Sequence, residues 1–135
     1  MAREAVLRDN SVKTSRRFSV AGSVDIAKGT ALFLGSDGVA SSAYVSSWAF
    51  LGFAHADKDG SDTNDTSITA DKGAVYDLYA GGVILPGALV KMYSGNYVIP
   101  EGYSSYAISS YAVVIGHALE FASASGAQIN IEVYP

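Results

Sequence analysis

Ala127-Gln128-Ile129-Asn130-Ile131-Glu132-Val133-Tyr134 alternates apolar with mostly polar residues without a break. Side chains along a strand point to opposite faces with a period of two, so Ala127, Ile129, Ile131 and Val133 fall on one face. A helix would divide those four between opposite sides. The stretch is therefore a strand with one buried face, and these four side chains are expected in the core. Working outward, Phe18, Val20, Gly22 and Val24 alternate in the same way with Ser19, Ala21 and Ser23. Between the two ends, residues 30–34, 48–54, 74–80, 88–93 and 112–122 are rich in apolar, β-branched or aromatic residues, with Gly, Asp, Asn, Ser or Pro close by. Asp37-Gly38 and Gly95-Asn96 are hairpin-turn pairs, because both supply positive φ at low cost. Many short strands separated by such turns predict an all-β fold, a small β-barrel or β-sandwich of jelly-roll-like or tulip-like form. The stretch around Tyr103, Tyr106 and Tyr111 reads equally as an extended loop or one short helix.

Two segments repeat at a distance. Ile26-Ala27-Lys28-Gly29-Thr30-Ala31-Leu32 resembles Ile84-Leu85-Pro86-Gly87-Ala88-Leu89-Val90, 58 residues later. Phe50-Leu51-Gly52-Phe53-Ala54 resembles Val114-Ile115-Gly116-His117-Ala118, 64 residues later. Either one β-unit is used twice, or apolar strands happen to look alike. The glycines inside the second pair mark a bulge or a barrel bend.

The 135 residues allow one domain with an arm. There is no cysteine, which excludes disulfides and thiolate metal sites. Charged residues make up 16%, below the ~25% of an ordinary soluble domain. That leaves a weakly solvated exterior, either covered by sister copies or a larger assembly, or belonging to a monomer coated with Ser and Tyr. No apolar run reaches the ~18 residues that suggest a membrane helix, and no secretory signal is visible in the first twenty residues.

The net charge of −4 is unevenly placed. Residues 1–17 hold Arg3, Arg8, Lys13, Arg16 and Arg17 against Glu4 and Asp9, a net of +3, so residues 18–135 carry −7. The chain thus divides into an extended N-terminal arm, 1–17, and a β-domain, 18–135. A basic arm on an acidic body reaches toward an acidic partner or is simply a solvated terminus. Direct nucleic-acid binding is not expected, because the arm has no aromatic residue to stack a base and the body repels phosphate.

Catalytic motifs are missing: there is no G-x-S-x-G, P-loop, G-x-G-x-x-G or H-E-x-x-H. His55 and His117 stand in no ligand spacing and read as structural. The run Asp57-Lys58-Asp59-Gly60-Ser61-Asp62-Thr63-Asn64-Asp65 offers enough oxygens for calcium. It fails the EF-hand register, with Asp62 where glycine belongs and Ile68 where the bidentate acid belongs, so a solvated acidic loop is the plainer reading. No enzyme activity, metal or cofactor is expected.

The order of pieces resembles the capsid decoration, or cement, proteins of tailed-phage heads. The resemblance runs through Val24-Asp25-Ile26-Ala27-Lys28-Gly29-Thr30-Ala31-Leu32-Phe33-Leu34, Asp37-Gly38-Val39-Ala40 and Phe50-Leu51-Gly52-Phe53-Ala54. It continues in Lys72-Gly73-Ala74-Val75-Tyr76-Asp77-Leu78, Val113-Val114-Ile115-Gly116-His117-Ala118-Leu119-Glu120 and Gln128-Ile129-Asn130-Ile131-Glu132-Val133. The acidic loop and the Tyr-rich stretch depart from the family's pattern. The resemblance implies a structural protein on the outer surface of an assembled icosahedral capsid, cementing neighbouring capsomers against the pressure of packaged DNA. Its partners would be the major capsid protein and sister copies, as a homodimer or homotrimer, with no membrane and no direct nucleic acid. Arg3, Arg8, Lys13, Arg16 and Arg17 are the expected capsid or subunit contacts, with the arm adding backbone to a neighbouring sheet edge. The alternative is a glycan- or receptor-binding β-module of a head fibre or tail that uses its nine tyrosines. Trp48 lies in an apolar run and is assigned to the core rather than to a sugar platform. A small hydrolase is a third class, against which the missing motifs stand.

Overall fold

In a computed structural model, strand β11 (Gln128–Val133) occupies the middle of a sheet between β7 (Val75–Ala80) and β10 (Val114–Ala118). Residues 6–7, as backbone, and 14–45, 48–93, 96–100 and 114–135 are described. Ile129, Ile131 and Val133 are all buried, and Ala127 packs half-buried on the same cluster, as the alternation requires. β8 (Leu89–Tyr93) pairs with β10, and β9 (Tyr97–Pro100) pairs with β8. β9 then returns to β7 through the parallel pairs Tyr79↔Tyr97 and Ala80↔Val98. The order β7-β11-β10-β8-β9 thus closes on itself as a five-stranded barrel. An odd ring cannot be antiparallel throughout, so one parallel pairing is unavoidable. The short β1 (Val6–Leu7) adds to the edge of β7.

The first half winds in the same way. β2 (Thr14–Ser19), β6 (Ser67–Lys72), β5 (Ala49–Ala54), β3 (Ala31–Leu34) and β4 (Ala40–Ser41) are neighbours in that order. A parallel bridge, Val20↔Ala40, links β4 back to the end of β2. Details recur residue for residue. Leu32↔Gly52 followed by Phe33↔Phe50 leaves Leu51 as a bulge on β5. Val90↔Gly116 followed by Lys91↔Val114 leaves Ile115 as the same bulge on β10. The Gly29 amide donates to the Ala54 carbonyl, and that of Gly87 to the Ala118 carbonyl, both at positive φ. The bridge Ile26↔Lys58 is matched by Ile84↔Ala122. The chain is one β-unit used twice.

Each repeated glycine has a steric reason. A Cβ on Gly116 would press into the Glu132 carbonyl oxygen, and a Cβ on Gly52 would stand 2.6 Å from that of Asp71. Glu132 and Asp71 are themselves equivalent positions on β11 and β6. At each bulge the neighbouring backbone comes too close for any side chain.

The first unit's core is Val20, Ile26, Leu32, Ala40, Leu51, Ala54, Ile68 and Ala70. Their counterparts Ala80, Ile84, Val90, Val98, Ile115, Ala118, Ile129 and Ile131 all lie in the second core. That second cluster is larger because it also holds Ala31, Phe33 and Phe53 from the first unit. Phe53 meets Tyr76 with ring centroids 4.6 Å apart. A unit of this size has little core of its own, so burial between the units supplies much of the stability.

One expectation needs correction. The strand expected over 18–24 is displaced toward the N-terminus: β2 ends at Ser19, and Val24 is exposed. Gly22 instead lies against the Thr63 backbone, in a turn. Strand β2 begins at Thr14, inside the segment 1–17, and pairs with β6 from Thr14↔Lys72 to Ser19↔Ser67. Its partner strand, β6, was not foreseen. Ser67-Ile68-Thr69-Ala70-Asp71-Lys72 has only two apolar residues, and its pairing on both sides makes it a strand.

Candidate functional site

Of the expected arm contacts, Arg3, Arg8 and Lys13 lie outside the described residues, as do Tyr103, Tyr106 and Tyr111. Arg16 and Arg17 sit on β2, both exposed. Successive strand residues point to opposite faces, so the two arginines are not one basic patch. Arg17 lines a shallow cleft of about 180 Å³ with His55, Asp57, Lys58, Asp65 and Thr69.

His55 is not free in that cleft. Its Nδ1 lies 2.6 Å from Asp71 Oδ2, and Ser15 Oγ donates to Asp71 Oδ1 at 2.6 Å. The carboxylate stands between hydroxyl and imidazole, whereas a nucleophile needs its base directly beside it. The trio instead fastens β2 and the end of β5 to β6. His117 Nδ1 lies 2.9 Å from the Tyr134 hydroxyl, and its Nε2 lies 3.7 Å from Glu132.

Carboxylates within the acidic loop and from Asp25 hold its backbone. Asp57 Oδ1 accepts from the Lys28 amide at 2.6 Å, and Asp25 Oδ1 from the Gly60 amide at 2.5 Å. Asp59 accepts from the Ser61 amide and hydroxyl, which hold its carboxyl below the ordinary range. Lys58 is buried, with Nζ donating to the Gly22 carbonyl at 2.8 Å. Among the described residues, no three acidic or imidazole side chains converge as metal ligands would.

Trp48 is half-buried against the larger core, as expected, and also lines a cleft of about 210 Å³ with Val24, Gly35, Asp37, Ser41 and Ser42. The remaining surface feature is apolar. Val83, Leu85, Leu89, Leu119 and Phe121 are all exposed, and all belong to the second unit. From the sequence alone, Leu89, Leu119 and Phe121 read as ordinary strand residues. The signal that would have found them was the repeat itself, compared position by position.

No protein-family model matches the chain. No curated protein matches it in sequence. In structure it is similar to the N base of the head fibre gp8.5 of bacteriophage phi29, with a TM-score of 0.52 and 17% identity. The likeness covers 89% of this chain and 94% of that one, and the shared feature is the fold.

Proposed function

We propose that the chain is a structural virion protein that sits on the outside of an assembled phage head and braces neighbouring capsomers, without catalytic turnover. The observation that carries this reading is the likeness, along nearly the whole chain, to the base of a phage head fibre. The side chains agree with it. Asp25, Asp57 and Asp71 and the two imidazoles are engaged in holding strands and loops together, while the surface also offers apolar area and scattered charge. Such a surface suits attachment to protein. Binding only the finished shell would stabilise it by mass action, and many symmetric copies would multiply the effect. Arg3, Arg8, Lys13, Arg16 and Arg17 supply charge for acidic patches on the shell.

The test is co-sedimentation of the purified chain with expanded empty shells of its phage. Saturable binding and greater resistance of the decorated shells to heat are expected. Shells that pellet without the chain, at every concentration tried, would end the reading.

A further inference from the structure

The two units differ at one sheet edge. In β7 the Ala80 amide donates to the Ala127 carbonyl, and antiparallel strands bond through alternate residues. Tyr76, Leu78 and Ala80 therefore bond to β11, while the backbone groups of Asp77 and Tyr79 face the other way. Those of Tyr79 turn toward β9, and those of Asp77 toward β1, where Val6 stands opposite. The same alternation holds in β2. The Val20 amide donates to the Thr66 carbonyl, and the register runs unbroken from Thr14↔Lys72 to Ser19↔Ser67. Thr14, Arg16 and Phe18 thus bond to β6, and the backbone groups of Ser15, Arg17 and Ser19 point away from it. The bridge Val20↔Ala40 brings β4 to the end of that edge, as β9 comes to the end of the edge of β7.

Arg17 is the counterpart of Asp77, yet among the described residues no strand pairs beside it. Ser15, Arg16 and Arg17 are all exposed, whereas Tyr76 and Asp77 are buried. An open edge is a template for an added strand, and in the second unit the addition is already made by β1. Charge selects the partner. Two β2 edges laid together would set arginines of one copy against those of the other, and facing like charges destabilise a strand pair. The segment at Val6 and Leu7 is already placed on β7 of its own chain. On the face that carries Arg16, Lys72 stands one pair away on β6, so an acidic side chain is the complement there. On the other face Arg17 shares its cleft with Asp57 and Asp65, which suits a neutral neighbour.

We propose that β2 receives, antiparallel along residues 15–17, an extended segment of another protein that sets an acidic side chain beside Arg16. The outward amides and carbonyls of Ser15 and Arg17 hold its backbone, as β7 holds β1. In the virion reading, on which this inference rests, that segment belongs to the shell protein. So short a contact is weak in one copy and gains strength from repetition over a symmetric shell.

Amide hydrogen exchange of the full chain, free and on expanded empty shells, tests it. In the free protein the Ser15 and Arg17 amides should exchange faster than that of Asp77, and on the shell they should slow by roughly tenfold or more. Arg17→Pro removes only an amide that points away from β6, so the variant should stay folded and bind shells roughly tenfold more weakly. Arg17→Ala keeps that amide and should bind nearly as the unaltered chain does. Arg16→Glu should weaken binding by repelling the acidic side chain. Slow exchange at Arg17 in the free chain would show the edge already covered and overturn the proposal. Amides that gain no protection on the shell, or full-strength binding by Arg17→Pro, would also overturn it and leave the virion reading standing. Shells that never take up the unaltered chain would end that reading and this inference with it.

Discussion

At Asn96 the backbone takes φ 66°, and the side chain reaches 65 or more residues back along the sequence. Nδ2 donates to the Gly29 carbonyl at 2.7 Å, and Oδ1 accepts from the Ala31 amide at 2.8 Å, both in buried surroundings. Asn96→Ala would leave that carbonyl and amide unpaired between the units, and each buried orphan costs about 1–3 kcal/mol. Urea denaturation should show a loss of about 2–4 kcal/mol, and Asn96→Asp should lose at least as much, because its second carboxylate oxygen faces the Gly29 carbonyl with no proton to donate. Tyr76 offers the opposite case. Burial first, and then the negative charge of Asp71, raise its pKa above the ordinary phenol value. A folded-state pKa above the unfolded one gives stability that is complete below about pH 10 and lost as the pH rises further. The hydroxyl is also buried with no hydrogen-bond partner among the described residues. Tyr76→Phe should therefore match or exceed the unaltered protein by about 1 kcal/mol at neutral pH. It should also lose less stability between pH 10 and 12, as followed by melting across that range. The turn at Asn96 was legible in the sequence because Gly-Asn favours positive φ. Its cross-unit hydrogen bonds were not, since they depend on what the fold brings within 3 Å.

At the scale of elements, the well-marked strands were those buried on one face with unbroken alternation, β11 above all. β3, β5, β7, β8 and β10 were found within a few residues of their true limits. β6 was missed because its identity as a strand comes from β2 and β5 on either side, not from its own two apolar residues. β2 was misplaced because Ser15, Arg16 and Arg17 read as a charged tail, whereas backbone pairing to β6 is indifferent to side-chain charge. The paired bulges give the sharpest element-level prediction. Gly116→Ala would force β10 away from the Glu132 carbonyl, a backbone clash that no rotamer can relieve. The cost should reach about 3 kcal/mol, the upper end of overpacking, and the Gly116 variant should melt well below one carrying Gly126→Ala. Gly126 has open space around it, so its penalty comes only from its positive φ.

For the molecule as a whole, the two barrels are expected to unfold together. Phe53 is buried at their junction, so Phe53→Ala should cost about 3–5 kcal/mol and keep a single transition by circular dichroism and tyrosine fluorescence. Two separated transitions would show that each barrel stands alone. The arm is tested by removing residues 1–13, which leaves β2 whole. Shell binding should then weaken while the melting of the β-structure changes little, and the difference should shrink as salt rises, because exposed ion pairs are screened over about 8 Å. By itself, the sequence determined the fold class, the buried face of β11, the turn positions and the two glycine-centred segments that recur 58 and 64 residues apart. Each is set by local rules, the two-residue period of a strand and the φ a residue tolerates. Closure of each unit into a five-stranded ring was decided only in three dimensions, and so were the burial of Phe53 beneath the second unit and the exposure of Leu85 and Phe121. The same local pattern is compatible with a covered or an uncovered face, and which it becomes depends on the unit packed against it.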